Sequence, residues 1–124
     1  MKSDGAKGHL DLVLLGILAG RPGHGYAIIS ELKARTDGVL DLPEGSVYPA
    51  LHRLEDQGLV ASDWTPIGGR RRREYRLTTT GMAALQSERH EWTRLARAID
   101  ALLASAPRSP SPARSPARLR GGLA

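Results

Sequence analysis

Cysteine is absent from the 124 residues, so neither a disulfide framework nor a thiolate metal site can form. Phenylalanine is absent too, and the aromatics are confined to Trp64, Trp92, Tyr26, Tyr48 and Tyr75. There is no long apolar run. The nearest, LDLVLLGILAG at 10–20, is broken by Asp11 and falls far short of the roughly 20 residues that a spanning helix needs. Asp4 also dilutes the basic flank that a signal peptide would carry. The run reads as a buried first helix, no membrane partner is expected, and the expected compartment is the cytoplasm. Catalytic patterns are missing as well. His9, His24, His52 and His90 show no ligand spacing such as HExxH, and His52 with Glu55 is only one i,i+3 pair. No Ser or Thr joins a His and an acid in a nucleophile motif, and no P-loop-type glycine run occurs. Metal, cofactor and enzymatic activity are therefore not expected.

What is present is basic charge in two places. The formal charge is +5, and the segment after Ala106 carries Arg108, Arg114, Arg118 and Arg120 with no acid, so the body retains only +1. Within that body GGRRRREYR (68–76) sets five arginines against one glutamate. A local basic spot on a near-neutral domain points to a polyanion docked at one place.

The chain has the length of one domain with an attached helix and a tail. Residues 1–8 lack apolar content and read as a flexible N-terminus. Leucines from Leu10 to Ala19 give a first helix, closed by Gly20-Arg-Pro-Gly23. A second helix follows, with Gly25, Ile28, Ile29 and Leu32 on one face and an end near Gly38. A third helix lies in PEGSVYPALHRLEDQGLV (43–60) and stops at Gly58, a suitable left-handed position. LVASDWTP and RRREYRLT flank Gly68-Gly69 as a two-stranded hairpin. The longest helical pattern starts at Thr78, Thr79 or Thr80, one of which is its N-cap. The expected fold is α+β, mainly α: a winged helix-turn-helix over 9–78, in which helices two and three form the helix-turn-helix, and a dimerisation helix over 79–105. The Arg/Pro/Ser-rich residues 106–124 are expected to be disordered.

The third helix carries the most information. With Ser46 as N-cap, Val47, Tyr48 and Pro49 are its first three residues, where a missing N–H costs little. Val47, Leu51 and Leu54 share the buried side, while Gly45, Ser46, Pro49, His52, Arg53 and Asp56 point away and Tyr48 and Glu55 flank them. The outer face is thus small or hydrogen-bonding near its start, as a helix entering a DNA groove requires. An ordinary amphipathic surface helix would show a similar stripe. The hairpin shifts that balance, because Arg70, Arg71, Arg72 and Arg73 alternate faces at its tip and repel one another without an anion. A duplex backbone supplies one. Tyr26, at the edge of the second helix's stripe, is a further candidate for a phosphate contact. Arg76 is assigned instead to a cross-hairpin pair with Asp63 or Glu74.

HGYAII (24–29), PEGSVYPALHRLEDQGLV (43–60) and RRRREYRLTTTG (70–81) together resemble the PadR family of bacterial transcriptional regulators, over residues 9–104 and in order. The single terminal helix resembles the short subfamily. The resemblance implies a homodimeric winged-helix repressor. It also implies a recognition helix bearing Ser46, Tyr48, Pro49 and His52 or Arg53, a wing of Gly69, Arg70, Arg71 and Arg72, and a dimerisation helix over 80–104. The tail after Ser105 has no counterpart in that pattern, and no particular ligand carries over.

On the terminal helix, Leu85, Trp92, Leu95, Ile99 and Leu102 step by 7, 3, 4 and 3, close to an a/d seam interrupted by Glu88. With Ala96 and Leu103 this stripe suits a two-fold dimer, which would set two recognition helices about one DNA turn apart, roughly 34 Å, to read a palindrome. Trp92 has two readings, interface packing and, encouraged by the resemblance, the wall of an inter-subunit site for a planar hydrophobic effector. Double-stranded DNA, a second copy and such an effector are the expected partners. Two rival functions stand beside this one: a protein-interaction module using the winged fold, and a non-specific nucleic-acid binder driven by the basic tail.

Overall fold

The structure is a computed structural model that describes residues 9–109; the flexible start and most of the disordered tail expected from composition lie outside them. The chain divides into two compact units between Glu91 and Trp92. The first contains α1 (Leu10–Gly20), β1 (Gly23–His24), α2 (Gly25–Arg35), α3 (Glu44–Asp56), β2 (Val60–Ile67), β3 (Arg70–Leu77) and the start of α4 (Thr79–Ala104).

Each helix forms where its apolar residues recur at helical spacing, and each ends for a local reason. α1 buries Leu10, Leu14, Leu15, Ile17 and Leu18, more than one face, and stops where Arg21 turns extended before Pro22 and Gly23. α2 buries Gly25, Ile28 and Leu32. Its end is tied by Gly38 N–H donating to the Lys33 carbonyl at 2.8 Å and by Thr36 Oγ1 donating to the Leu32 carbonyl at 2.7 Å. α3 buries Val47, Ala50, Leu51 and Leu54 and closes at Gly58, whose φ of 78° is the left-handed value expected there. Leu14, Val47, Leu51 and Leu54 are wholly inaccessible to solvent. Burying each such side chain is worth about 1.5–3 kcal/mol, so these four residues of α1 and α3 are major contributors to the core.

The start of α3 corrects one expectation. Pro43, not Ser46, is the N-cap, with φ −79° and ψ 152°, and it supplies no side-chain cap. Its carbonyl instead accepts from Ser46 N–H at 3.0 Å and Val47 N–H at 3.1 Å. Ser46 is therefore the third helical residue and Pro49 the sixth, inside the helix. Pro49 cannot donate to the Gly45 carbonyl four residues back. Exposed Gly45, whose Cβ position faces open space, leaves that carbonyl reachable by water.

The sheet has three strands rather than the expected two, in the order β1-β3-β2. β1 pairs Gly23 with Tyr75 and His24 with Glu74; two residues are too few for an alternation to show in sequence. β2 and β3 pair from Ile67↔Arg70 back to Val60↔Leu77. The turn between them has Gly68 at φ 56° and Gly69 at φ 79°, as a two-residue hairpin of the right twist requires. Val60 and Tyr75 point into the core. Of the three threonines, Thr78 caps α4: its hydroxyl accepts from Gly81 N–H at 2.9 Å and donates to the Gly58 carbonyl at 2.7 Å. A Cβ on Gly81 would sit 2.0 Å from the Leu59 carbonyl oxygen. No helix of the described residues is long and apolar enough to cross a membrane.

Candidate nucleic-acid interface

α3 rests on the core through one side and exposes Gly45, Ser46, Pro49, His52, Arg53 and Asp56 on the other. Neither α2 nor α3 has a side-chain cap at its N-terminus. Beyond the Ser46 and Val47 N–H groups that the Pro43 carbonyl accepts, the helix dipoles at these starts favour an anion. Tyr26, in the first turn of α2, is 59% exposed. Tyr48 is only half exposed, because its ring lies on the backbone of Gly25. A Cβ there would come within 2.3 Å of Tyr48 Cε1 and 2.6 Å of its hydroxyl oxygen. Gly25 is small so that the aromatic side chain of α3 can cover the start of α2.

Arg53 is placed differently from a free reading head. Its guanidinium pairs with Asp11 of α1, so His52, Ser46 and Pro49 are the outward candidates without such a tether. A half-exposed pair of this kind contributes about 0–1 kcal/mol and leaves the arginine able to exchange partners.

The base of the wing is fixed to the end of α3 by one carboxylate. Glu55 Oε2 accepts from the Ser62 hydroxyl at 2.7 Å and pairs with Arg73 at 3.6 Å. Tyr75, packed beneath, has its phenol pKa raised, first by burial and then by the charge of Glu55, with Arg73 pulling the other way. Arg76 pairs with Asp63 across the hairpin, one of the two partners expected. That leaves the tip. Arg70 and Arg71 are exposed and Arg72 half exposed, and none of the three forms an ion pair among the described residues. Like charges held this close repel, and an external anion would relieve that repulsion.

Sequence reading missed three members of this arrangement. Trp64, which sits across from Arg73 and is 54% exposed, was legible from the two-residue turn, since that turn fixes the register. Glu55 as the wing's anchor needs the packing of α3 on β2, and Asp11 lies 42 residues from Arg53; no local signal reveals either.

The second unit holds the end of α4. Trp92, Leu95, Ile99, Leu102 and Leu103 are 42, 46, 43, 71 and 65% exposed, and Ala96 is half-buried. Leu85 does not belong with them, contrary to expectation. It is 7% exposed and part of the first unit's core cluster, because the helix start is held against that core by Thr78 and Gly81.

Three helices with a helix-turn-helix, followed by a basic-tipped antiparallel wing, define a DNA-binding transcriptional regulator of the winged-helix class. Comparison with known proteins makes that particular. Residues 14–87 match the Transcriptional regulator PadR-like family, and the chain belongs to it. Over 55 residues it is 47% identical to the transcriptional regulator Rv3488 of Mycobacterium tuberculosis, covering 44% of this chain and 51% of that protein. A transcriptional regulator from Clostridium thermocellum has a similar structure, with a TM-score of 0.73 and 28% identity over 79% of this chain and 96% of that one. A PadR family transcriptional regulator from Eggerthella lenta gives a TM-score of 0.67 and 32% identity, over 81% and 86% of the two chains. Proteins of this family regulate transcription by binding DNA; they are not enzymes.

Proposed function

We propose that the chain is a homodimeric, cytoplasmic repressor that reads a palindromic duplex operator. The outer face of α3, led by Ser46, Pro49 and His52, enters the major groove, and Tyr48 and Arg53 border it. Tyr26 and the uncapped start of α2 meet phosphate, and Gly69, Arg70, Arg71 and Arg72 follow the backbone as the wing. A second copy joins along Trp92, Leu95, Ala96, Ile99 and Leu102. The observation that carries this reading is the exposed arginine tip, free of ion pairs among the described residues, in the same compact unit as the outward face of α3.

The test is selection of bound fragments from the host genome, followed by a salt series on the recovered site and on random duplex. Specific binding gives an affinity ratio of about 10³ or more. A steep salt slope with almost no ratio means binding through the basic tail, and no binding to any duplex leaves the protein-interaction reading. His52→Ala is expected to cost ~1–3 kcal/mol of discrimination if His52 reads a base edge. A second reading concerns control. Trp92, 42% exposed among exposed apolar neighbours, suits a wall for a planar hydrophobic effector between subunits. Such a ligand would alter the spacing of the two heads and release DNA. Titration with planar aromatic compounds, following tryptophan fluorescence and operator affinity together, tests it.

A further inference from the structure

We propose that Trp64 is a positioning residue of the wing, whose ring holds Arg71 in the orientation that meets nucleic-acid phosphate; this rests on the DNA-binding reading above and deepens it. The two-residue turn fixes the register, so Trp64 faces Arg73, and Pro66 faces Arg71 one pair further along the same face. Both guanidinium groups lie over the indole, Arg73 at 5.2 Å from the ring centroid and Arg71 at 5.7 Å. These distances are within cation–π range, and tryptophan is the strongest partner for it. Trp64 nonetheless remains 54% exposed, so core packing does not account for it.

The two arginines differ in what else holds them. Arg73 has a second anchor, Glu55 at 3.6 Å, and is thereby a fixed post between wing and α3. Arg71 is exposed and forms no ion pair among the described residues, so the ring is what restrains it. The chemistry of that restraint matters. A carboxylate, as Asp63 is for Arg76 and Asp11 for Arg53, would neutralise the guanidinium and compete with phosphate. An indole fixes the flat group through its quadrupole and leaves the positive charge and all its N–H donors available. Less side-chain freedom is then lost when phosphate binds.

The experiment is a double-mutant cycle on the full chain, with binding to a labelled duplex followed by anisotropy at low salt. Trp64→Ala is expected to weaken binding about 2–5-fold, the range of an exposed cation–π contact, equally on operator and random duplex. Trp64→Phe restores part of the loss. In an Arg71→Ala background, Trp64→Ala has no further effect. Arg71→Ala flattens the salt slope by about one, whereas Trp64→Ala leaves it near the wild-type value, because the phosphate contact survives but is less prepared. Wild-type binding with Trp64→Ala unchanged overturns this inference alone. The same loss in the Arg71→Ala background, or a loss confined to the operator, overturns it too, the latter because Trp64 would then touch DNA itself. Failure of the wild type to bind any duplex overturns both this and the DNA-binding reading.

Discussion

α1 and the far part of α4 are both rich in leucine and isoleucine, yet they meet opposite fates. In α1, Leu10, Leu14, Leu15, Ile17 and Leu18 are all at most 9% exposed. In α4 beyond Glu91, no large apolar side chain is less than 42% exposed. The two differ both in hydrophobicity, α1 being the more apolar, and in pattern. α1 is apolar on most sides and packs against α2, α3 and β3 at once. The end of α4 is apolar along one narrow stripe, with Arg94, Arg97 and Asp100 between its members. An all-round apolar helix suits the interior of its own chain, whereas a single stripe suits one partner surface, within the chain as for α3 or outside it.

The strongest way to break that contrast is to remove one leucine from each side. Leu14→Ala opens a cavity in a fully enclosed site and is expected to cost about 2–5 kcal/mol of folding stability. Leu102→Ala, at a side chain 71% exposed in the single chain, is expected to leave the stability of the isolated subunit unchanged. Chemical denaturation read at several protein concentrations separates the two: the first loss is independent of concentration.

Next in size is the proposed dimer. Replacing Leu95 and Ile99 together by Glu removes two contacts worth about 1.5–3 kcal/mol each, so dimer dissociation should strengthen at least about 100-fold. Sedimentation is expected to show a single subunit of unchanged helix content. A doubly substituted chain that still dimerises would assign the stripe some other cover.

How much of this was readable in advance follows the same division. Local signals were sufficient for the three helices and the glycine turn, and narrowed the cap of α4 to three threonines, because periodicity, positive φ and a hydroxyl acceptor act over a few residues. They failed at Leu85, which continues the stripe in sequence but is captured by the core, and at the start of α3, where the carbonyl of Pro43 outcompeted the hydroxyl of Ser46. They were silent on Glu55 and Asp11, whose partners depend on how helices and wing pack. The outward face of α3 was legible as a set of residues. Its tethers, Tyr48 on Gly25 and Arg53 on Asp11, were not.

A smaller effect is expected where α2 and α3 touch. Gly25→Ala places a methyl within 2.6 Å of three atoms of the Tyr48 ring, and displacing that ring should cost about 1–3 kcal/mol. Adding Tyr48→Ala removes the clash, so the double variant should be less damaged than the sum of its parts. Additive losses in a thermal or denaturant cycle would mean that Gly25 is required for its backbone instead.

Alkaline pH sharpens the comparison with the gentlest perturbation, since it acts on the core of the first unit and spares the apolar stripe of α4. The folded state raises the pKa of Tyr75, chiefly by burial and then through Glu55, so folding favours the neutral phenol. The unfolded chain releases that proton near pH 10. Below that value the contribution of Tyr75 to stability is constant. As pH climbs from there through the raised folded-state value, the unfolded chain loses its proton first and stability declines. Tyr75→Phe, which keeps the ring and has no proton to lose, should flatten the decline above pH 10 when unfolding is followed by circular dichroism. If the variant and the wild type fall in parallel, the alkaline sensitivity belongs to another group and Tyr75 is not the limit on the core.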